Sequence, residues 1–421
     1  MHPQLMAVRD RHPCLSLACA AAFLSLPACS DKTDDAAPSS GGLHLVQPDL
    51  PGVQLADLDN DQRARFNDGD RLFDQTFLAG QGLGPVYIRA SCASCHANDG
   101  RGPGTVRKMV MLDASGNPLP DQSGLPYGNT VRPQAVGDMA AAIVVPSDTS
   151  DLLLSTRVPP AVFGRGSIEA VSDDEIMRVE SEQGQRSDGV SGRINWVTYA
   201  SDPNPNTTYH SHAKGDKLIG RFGLKARIAT LDDFAADAFQ GDMGITSDLR
   251  PNELPNPIGA DDELPGVDIP ADDVNQVADY MRMLRIPTRQ ADANDAGAAL
   301  FSQAQCDACH VPTLHTQADY ALSELADIDA PIYTDLLLHD MGSDFADGLD
   351  DYGALSSEWK TAPLMGLRFF QSYLHDGRAK SIEDAIEMHG GAGSEAAASI
   401  DQFHQLDDDS RAQLLKFVSA L

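Results

Sequence analysis

The chain has 421 residues, 42% of them hydrophobic and 22% charged, a globular composition long enough for two or three domains. Its 62 Asp and Glu against 31 Lys and Arg give a net charge of −31. That balance excludes a phosphate backbone as partner and a basic face for anionic lipid. In chain order, the first feature is Arg9 and Arg11 before an apolar run, Leu15 to Leu26, too short to span a bilayer. It ends in Leu26-Pro27-Ala28-Cys29, and the polar, flexible stretch Ser30–Gly42 follows. A helix is expected over Arg63–Phe77, where apolar residues recur at helical spacing. Val106 to Leu112 (VRKMVML) reads as a strand, and Gly116–Tyr127, Asp202–Lys214 and Pro251–Pro270 read as loops. Further helices are expected over Ala271–Leu284, Asp295–Phe301 and Asp408–Leu421, with a hinge at Ile286–Ala291.

The cysteines carry the chemistry. Cys14 and Cys19 lie in the leader, and Cys29 ends a segment that resembles the lipobox of bacterial lipoproteins, in which that cysteine is acylated. The expectation is therefore a signal peptide over 1–28, a tether over 29–54, and a lipid anchor on the periplasmic side of a bacterial membrane. A plain secretory signal cleaved nearby is the alternative. The other four cysteines form Cys92-Ala-Ser-Cys95-His96 and Cys306-Asp-Ala-Cys309-His310. C-x-x-C-H is the attachment signature of c-type haem, two thiols on one turn followed by the imidazole that reaches the iron. A zinc site would leave the two histidines unexplained, and a thioredoxin-like dithiol needs a βαβ setting that the pattern lacks. Each motif follows a helix. The reading is a mainly α protein with two cytochrome c-like haem domains in tandem, 55–285 and 290–421, the first enlarged by loops and short strands. His96 and His310 are the proximal iron ligands.

Tyr333–Gly342, Glu358–Leu367, Tyr373–Lys380 and Ile382–Gly391 follow the second motif in an order that resembles bacterial di-haem cytochrome c peroxidases and a related tryptophan-modifying maturase. Gly82–Pro85, Arg157–Ala170, Asp188–Val197, Gly220–Ala226 and Asp242–Thr246 agree with this in the first half. Over about residues 60–421 the chain is most similar to the di-haem oxidoreductase family, also catalogued as "thiol oxidoreductase". The thiol label finds no support, since every cysteine beyond the leader is committed to haem.

The resemblance implies a distal ligand for the second haem at His389, where the peroxidases carry Met and the maturase Tyr; Met388 is the alternative. His339, Met341, Met365 and His375 are further candidates, while His315 and His404 read as surface. Arg378 is a candidate propionate partner, because guanidinium pairs bidentately with carboxylate. After His96 no histidine occurs until His210 and His212, and the nearest soft donors are Met109 and Met111. The first haem is therefore expected either to keep an open position, where peroxide would be reduced, or to be held by a remote ligand. Glu169 is the acid–base candidate implied by the family pattern, with a solvated carboxylate as the bland reading. Of the two tryptophans, Trp359 is favoured over Trp196 as an electron relay. The related peroxidases hold calcium between their domains. The carboxylates of Asp173–Asp188, read as a loop, are the place to look, though without EF-hand spacing. The expected partners are a small redox donor protein or carrier and a small oxidant such as peroxide. A non-catalytic electron-transfer protein, linked to iron handling or another partner, is the second reading, and oxidation of a partner protein the third.

Overall fold

The computed structural model describes residues 50–125, 127–137, 149–256 and 264–421. The leader, Cys29 and the tether up to residue 49 lie outside the described residues, so the expectations placed there have no structural counterpart. Chain order runs α1 (Asn60–Asp74), β1 (Val86–Tyr87), β2 (Val106–Met111), β3 (Gln134–Ala135), β4 (Leu152–Arg157), α2 (Arg165–Ala170), α3 (Asp173–Gln183), β5 (Trp196–Thr198) and β6 (Lys217–Ile219). It continues through α4 (Leu231–Ala238), α5 (Ala271–Met283), α6 (Asp295–Gln303), β7 (Leu314–His315), β8 (Asp329–Ala330), β9 (Leu338–Asp340), β10 (Glu358–Lys360), α7 (Ile382–Met388), α8 (Ala397–Gln405) and α9 (Asp408–Ala420). Helices dominate. The strands of the described residues pair only in antiparallel twos: β1 with β3, β2 with β4, β5 with β6, β7 with β8 and β9 with β10.

Capping explains where several helices begin. Asp59 accepts from Gln62 N while the Gln62 side chain accepts from Asp59 N, so α1 starts three residues before the periodicity alone suggests. Ser172, Thr230, Asn294 and Asp407 cap α3, α4, α6 and α9 in the same side-chain-to-backbone way. The expected acidic loop from Asp173 is thus mostly the helix α3. Asp173, Asp174 and Glu175 stand in its first turn, where the helix dipole favours them, and Arg178 pairs with Glu175 and Glu182.

Two helix crossings repeat the same device. Gly69 of α1 lies so close to α5 that any side chain would collide with the Gln276 carbonyl, and Gly297 of α6 is pressed likewise onto Phe417 of α9. Each C-x-x-C-H turn is therefore preceded by a helix that crosses a later closing helix through a glycine. The apolar core does not divide at the expected 285/290 boundary. Leu314, Leu322, Ile332, Leu336 and Met365 join the cluster built by α1 to α5, while Phe301, Phe403, Leu414 and Phe417 form a smaller one with α6, α8 and α9. Asp49–Leu421 form one compact unit.

Candidate functional site

The two motifs fold alike. Cys95 N and His96 N both donate to Cys92 O at 3.0 Å, and Cys309 N and His310 N donate to Cys306 O. This turn brings the paired thiols together and sends out the imidazole behind them. All four thiols are free. Burial raises Cys92 and Cys306 to about 12 and Cys95 to about 11, which favours the neutral thiol over the thiolate. Burial also pushes His96 and His310 down to about 4, which leaves them as the neutral imidazoles that ligate metal.

His96 opens into a cavity of about 1400 Å³, its open mouth included. The walls are apolar where a macrocycle would lie, with Phe73, Phe222, Phe239 and Met281 among them, and Arg89, Lys108, Arg157, Arg165 and Arg227 add cationic groups. His96 Nδ1 is buried without a hydrogen bond. A large apolar slot, two neutral thiols, one imidazole and a surplus of cations fit a haem with its carboxylates. His96 is the single histidine among the lining residues, and Met243 and Met281 are the other soft donors. Met109 and Met111 are not among them. Val106 and Lys108 line the cavity, so the two-residue period of β2 turns both methionines to the far face, where Met109 packs against Leu125 and Val131.

The second motif has a different surrounding. His310 Nδ1 donates to Tyr333 O at 3.2 Å and His389 Nδ1 to Ala385 O at 2.6 Å, which leaves each Nε2 without a protein partner among the described residues. The two imidazoles are close enough for His389 to depress the proton affinity of His310. Tethering the distal nitrogen is how proteins orient an imidazole toward a metal. Met388, the alternative, is exposed and turns outward. His339 is bracketed by Asp335 and Glu395 at 2.8 Å each, with Cys309 Sγ 3.7 Å away, and those carboxylates hold it protonated against the cost of burial.

Three sequence expectations need correction. Glu169 does not line the cavity. It is buried one turn further along α2, with Oε2 2.6 Å from Arg282 Nε and 2.9 Å from Tyr320 OH, and it accepts from Leu231 N at 2.7 Å. Burial alone would raise it; the Arg282 guanidinium instead holds it below the ordinary carboxylate range. Every acceptor is occupied, so Glu169 is a structural anion. Arg378 is exposed and already paired, with Asp376 at 2.6 Å and the Asp344 carbonyl at 2.8 Å, and is no open propionate partner. The acids proposed for calcium are taken as well: Asp173 by Arg221, Glu175 by Arg178 and Asp188 by Arg186. His315 and His404 are surface residues paired with carboxylates.

Several functional candidates escaped the sequence reading. Asp242 lines the cavity beside the thiols, makes no side-chain hydrogen bond among the described residues, and is raised by burial to about 6. It opens the DMGIT segment, so the signal was present without a role. Arg157 and Arg165 belong to the same segment as Glu169, which means the right motif was chosen with the wrong residue. Trp359 is buried, stacked on His375 at 3.8 Å between ring centres and 11° between planes, and donates from Nε1 to Phe345 O at 3.0 Å. Lys225 Nζ stands 4.0 Å from its ring centre and Arg157 5.4 Å. Phe345 in turn lies 6.0 Å from His389 and 5.8 Å from His375. Aromatic groups thus run from His389 through Phe345 and His375 to Trp359, which lies under Arg157 on the cavity wall. Trp196, by contrast, is 53% exposed.

Two part-buried dithiol–imidazole turns, one of them opening on a cleft with apolar walls, are the arrangement that attachment of a c-type haem would need. The chain belongs to the di-haem oxidoreductase family: residues 134–421 match the family described as "Di-haem oxidoreductase, putative peroxidase". The match includes the second motif, and the first lies before it. None of the curated proteins matches the sequence. A solved hydrazine synthase from Kuenenia stuttgartiensis is similar at 14% identity over 94% of this chain and 100% of that chain, with a TM-score of 0.34. A likeness that distant carries no argument here.

Proposed function

We propose that the protein is an exported, lipid-anchored di-haem c-type oxidoreductase that reduces peroxide or a related oxidant at the His96 cavity. Covalent haem at Cys92/Cys95 and Cys306/Cys309 would supply the redox iron, the second site receiving electrons from a small donor protein and the first delivering them. The observation that carries the reading is the asymmetry of the two surroundings. His310 faces a second tethered imidazole, whereas the His96 cavity offers no other histidine. Bis-imidazole ligation lowers a haem potential and an open iron position favours oxidant binding. Asp242 is the cavity carboxylate poised to move a proton between the two peroxide oxygens, since a group near 6 both accepts and returns one at neutral pH. Trp359, between His375 and the cations of the cavity wall, is the candidate electron relay.

Low-temperature EPR of the ferric and half-reduced protein, followed by mixing the half-reduced form with peroxide, tests the reading. A high-spin signal with reoxidation by peroxide faster than by air is the expected outcome. Low-spin signals throughout and no acceleration by peroxide would instead favour an electron-transfer protein, whose sixth ligands would then include Met243 or Met281.

A further inference from the structure

The aromatic run that starts at His389 ends on a tryptophan with a cation over its ring. His375 is stacked on Trp359 at 3.8 Å, and Lys225 Nζ stands 4.0 Å from the ring centre, with the Arg157 guanidinium 5.4 Å away. Both cations are fixed in place. Lys225 is 1% exposed and donates to the carbonyls of Leu355, Ser356 and Glu358 at 2.7–3.0 Å. Arg157 bonds Asp347 and Asp351, and Asp347 lies 3.8 Å from Lys225 Nζ. Burial pulls Lys225 down to about 8, which leaves it an ammonium at neutral pH. Lys225 directly follows Gly223 and Leu224 of the His96 cavity wall, and Arg157 belongs to that wall itself. The three carbonyls account for the lysine's stability in this place. They do not account for the indole beneath it.

A neutral indole attracts a cation over its face. Loss of one electron reverses the sign, because a ring that carries positive charge repels an ammonium at this range, in surroundings that screen weakly. An oxidised indole escapes that charge by shedding its Nε1 proton to a base. Here Nε1 donates at 3.0 Å to the Phe345 carbonyl, which takes no proton, and the ring is buried. His375 lies face to face with the ring, not on Nε1, and burial lowers it to about 4. We propose that Lys225 holds Trp359 in its reduced, closed-shell form, so that electrons cross the ring without residing on it and the oxidising power of peroxide is not spent on the protein. The inference rests on the peroxide reading above and narrows the role given there to Trp359. Hydrogen peroxide takes up two electrons and two protons and leaves as two waters. With a donor present, the donor supplies those electrons and the ring is a bridge. Without one they come from the protein, and an oxidisable ring within reach loses them; the charge on Lys225 keeps Trp359 from being that ring.

Wild type, Lys225→Met and Lys225→Arg, purified as ferric holoproteins and mixed with hydrogen peroxide without a donor, test it. Haem content by pyridine haemochrome and loss of peroxide come first: a wild type that lacks two haems, or leaves peroxide unreacted, sinks the functional reading and this inference with it. Trp359 is then followed by freeze-quench EPR for an indole radical and by peptide mass spectrometry for added oxygen. Trp196, the other tryptophan and 53% exposed, is the control for oxidation from solvent in the same digest. K225M is expected to raise Trp359 oxidation about tenfold or more, the size of a desolvated cation over a ring, with Trp196 unchanged. K225R should stay within about twofold of wild type, since it keeps the charge. An indole radical on Trp359 in wild type, or equal Trp359 oxidation in wild type and fully loaded K225M, would overturn the proposal and leave Lys225 as a cap for three carbonyls. If K225M does not load two haems, Lys225→Gln, neutral but still a donor to those carbonyls, takes its place with the same two outcomes.

Discussion

Replacing Glu169 by Gln separates a catalytic from a structural carboxylate. The side chain is buried, bonded to Arg282 Nε at 2.6 Å, to Arg282 Nη2 at 3.2 Å, to Tyr320 OH at 2.9 Å and to Leu231 N at 2.7 Å. Removing one partner of a buried ion pair costs about 3–5 kcal/mol. Glutamine keeps an acceptor, and Arg282 retains Asp279 at 3.0 Å and Asp232 at 3.6 Å, so the lower figure of about 3 kcal/mol applies. For the 373 residues of Asp49–Leu421, an unfolding entropy near 0.8 kcal/mol per kelvin turns that into a Tm lowered by about 4 °C. The pH dependence has a definite sign. Glu169 is held below its ordinary value, so its contribution is present above the unfolded value of about 4.3 and lost as pH falls through the folded one. The gap between wild type and E169Q must therefore narrow on acidification. Calorimetry across pH and peroxide turnover on the folded variant are the assays. Turnover within about twofold of wild type is expected. A loss of about 10²-fold or more at unchanged Tm, the size of a lost general acid–base, would refute the argument.

Asp242→Asn should reduce peroxide turnover by about 10²-fold or more, and flatten the rise in rate that wild type shows as pH passes through about 6, read from steady-state kinetics. Because its folded value is raised, the native state holds that proton longer than the unfolded chain; stability falls as pH rises through about 6, and calorimetry should find this slope reduced in D242N. His389→Ala should convert the second haem's low-spin ferric EPR signal to high-spin while haem content stays at two; an unchanged low-spin signal would move the ligand elsewhere. Gly297→Ala should destabilise by about 1–3 kcal/mol through collision with Phe417, and Gly69→Ala by at least as much, because its obstacle is backbone; thermal unfolding that leaves either variant at the wild-type Tm would mean the crossings give way freely.

What the sequence revealed and what it withheld follow from the range of the forces involved. Local rules gave the helices α1, α5, α6 and α9 and the strand β2, since caps, apolar spacing and strand alternation act within a few residues. The capping box at Asp59 moved α1 by three residues, and the Ser172 cap turned an expected acidic loop into a helix; both signals were present and were passed over. The C-x-x-C-H turns were legible for the same reason, all their chemistry falling within five residues. Roles that depend on distant partners were not legible. Glu169 looked like a catalytic acid until Arg282, 113 residues away, occupied it. Arg378 is the exception: Asp376, only two residues away, takes it, a local pairing that was there to be read. A charged residue's function is decided by whether the fold satisfies it. Satisfied charges hold the structure together, and Asp242, which lines the cavity without a side-chain hydrogen bond among the described residues, is the charge that the proposed function calls on.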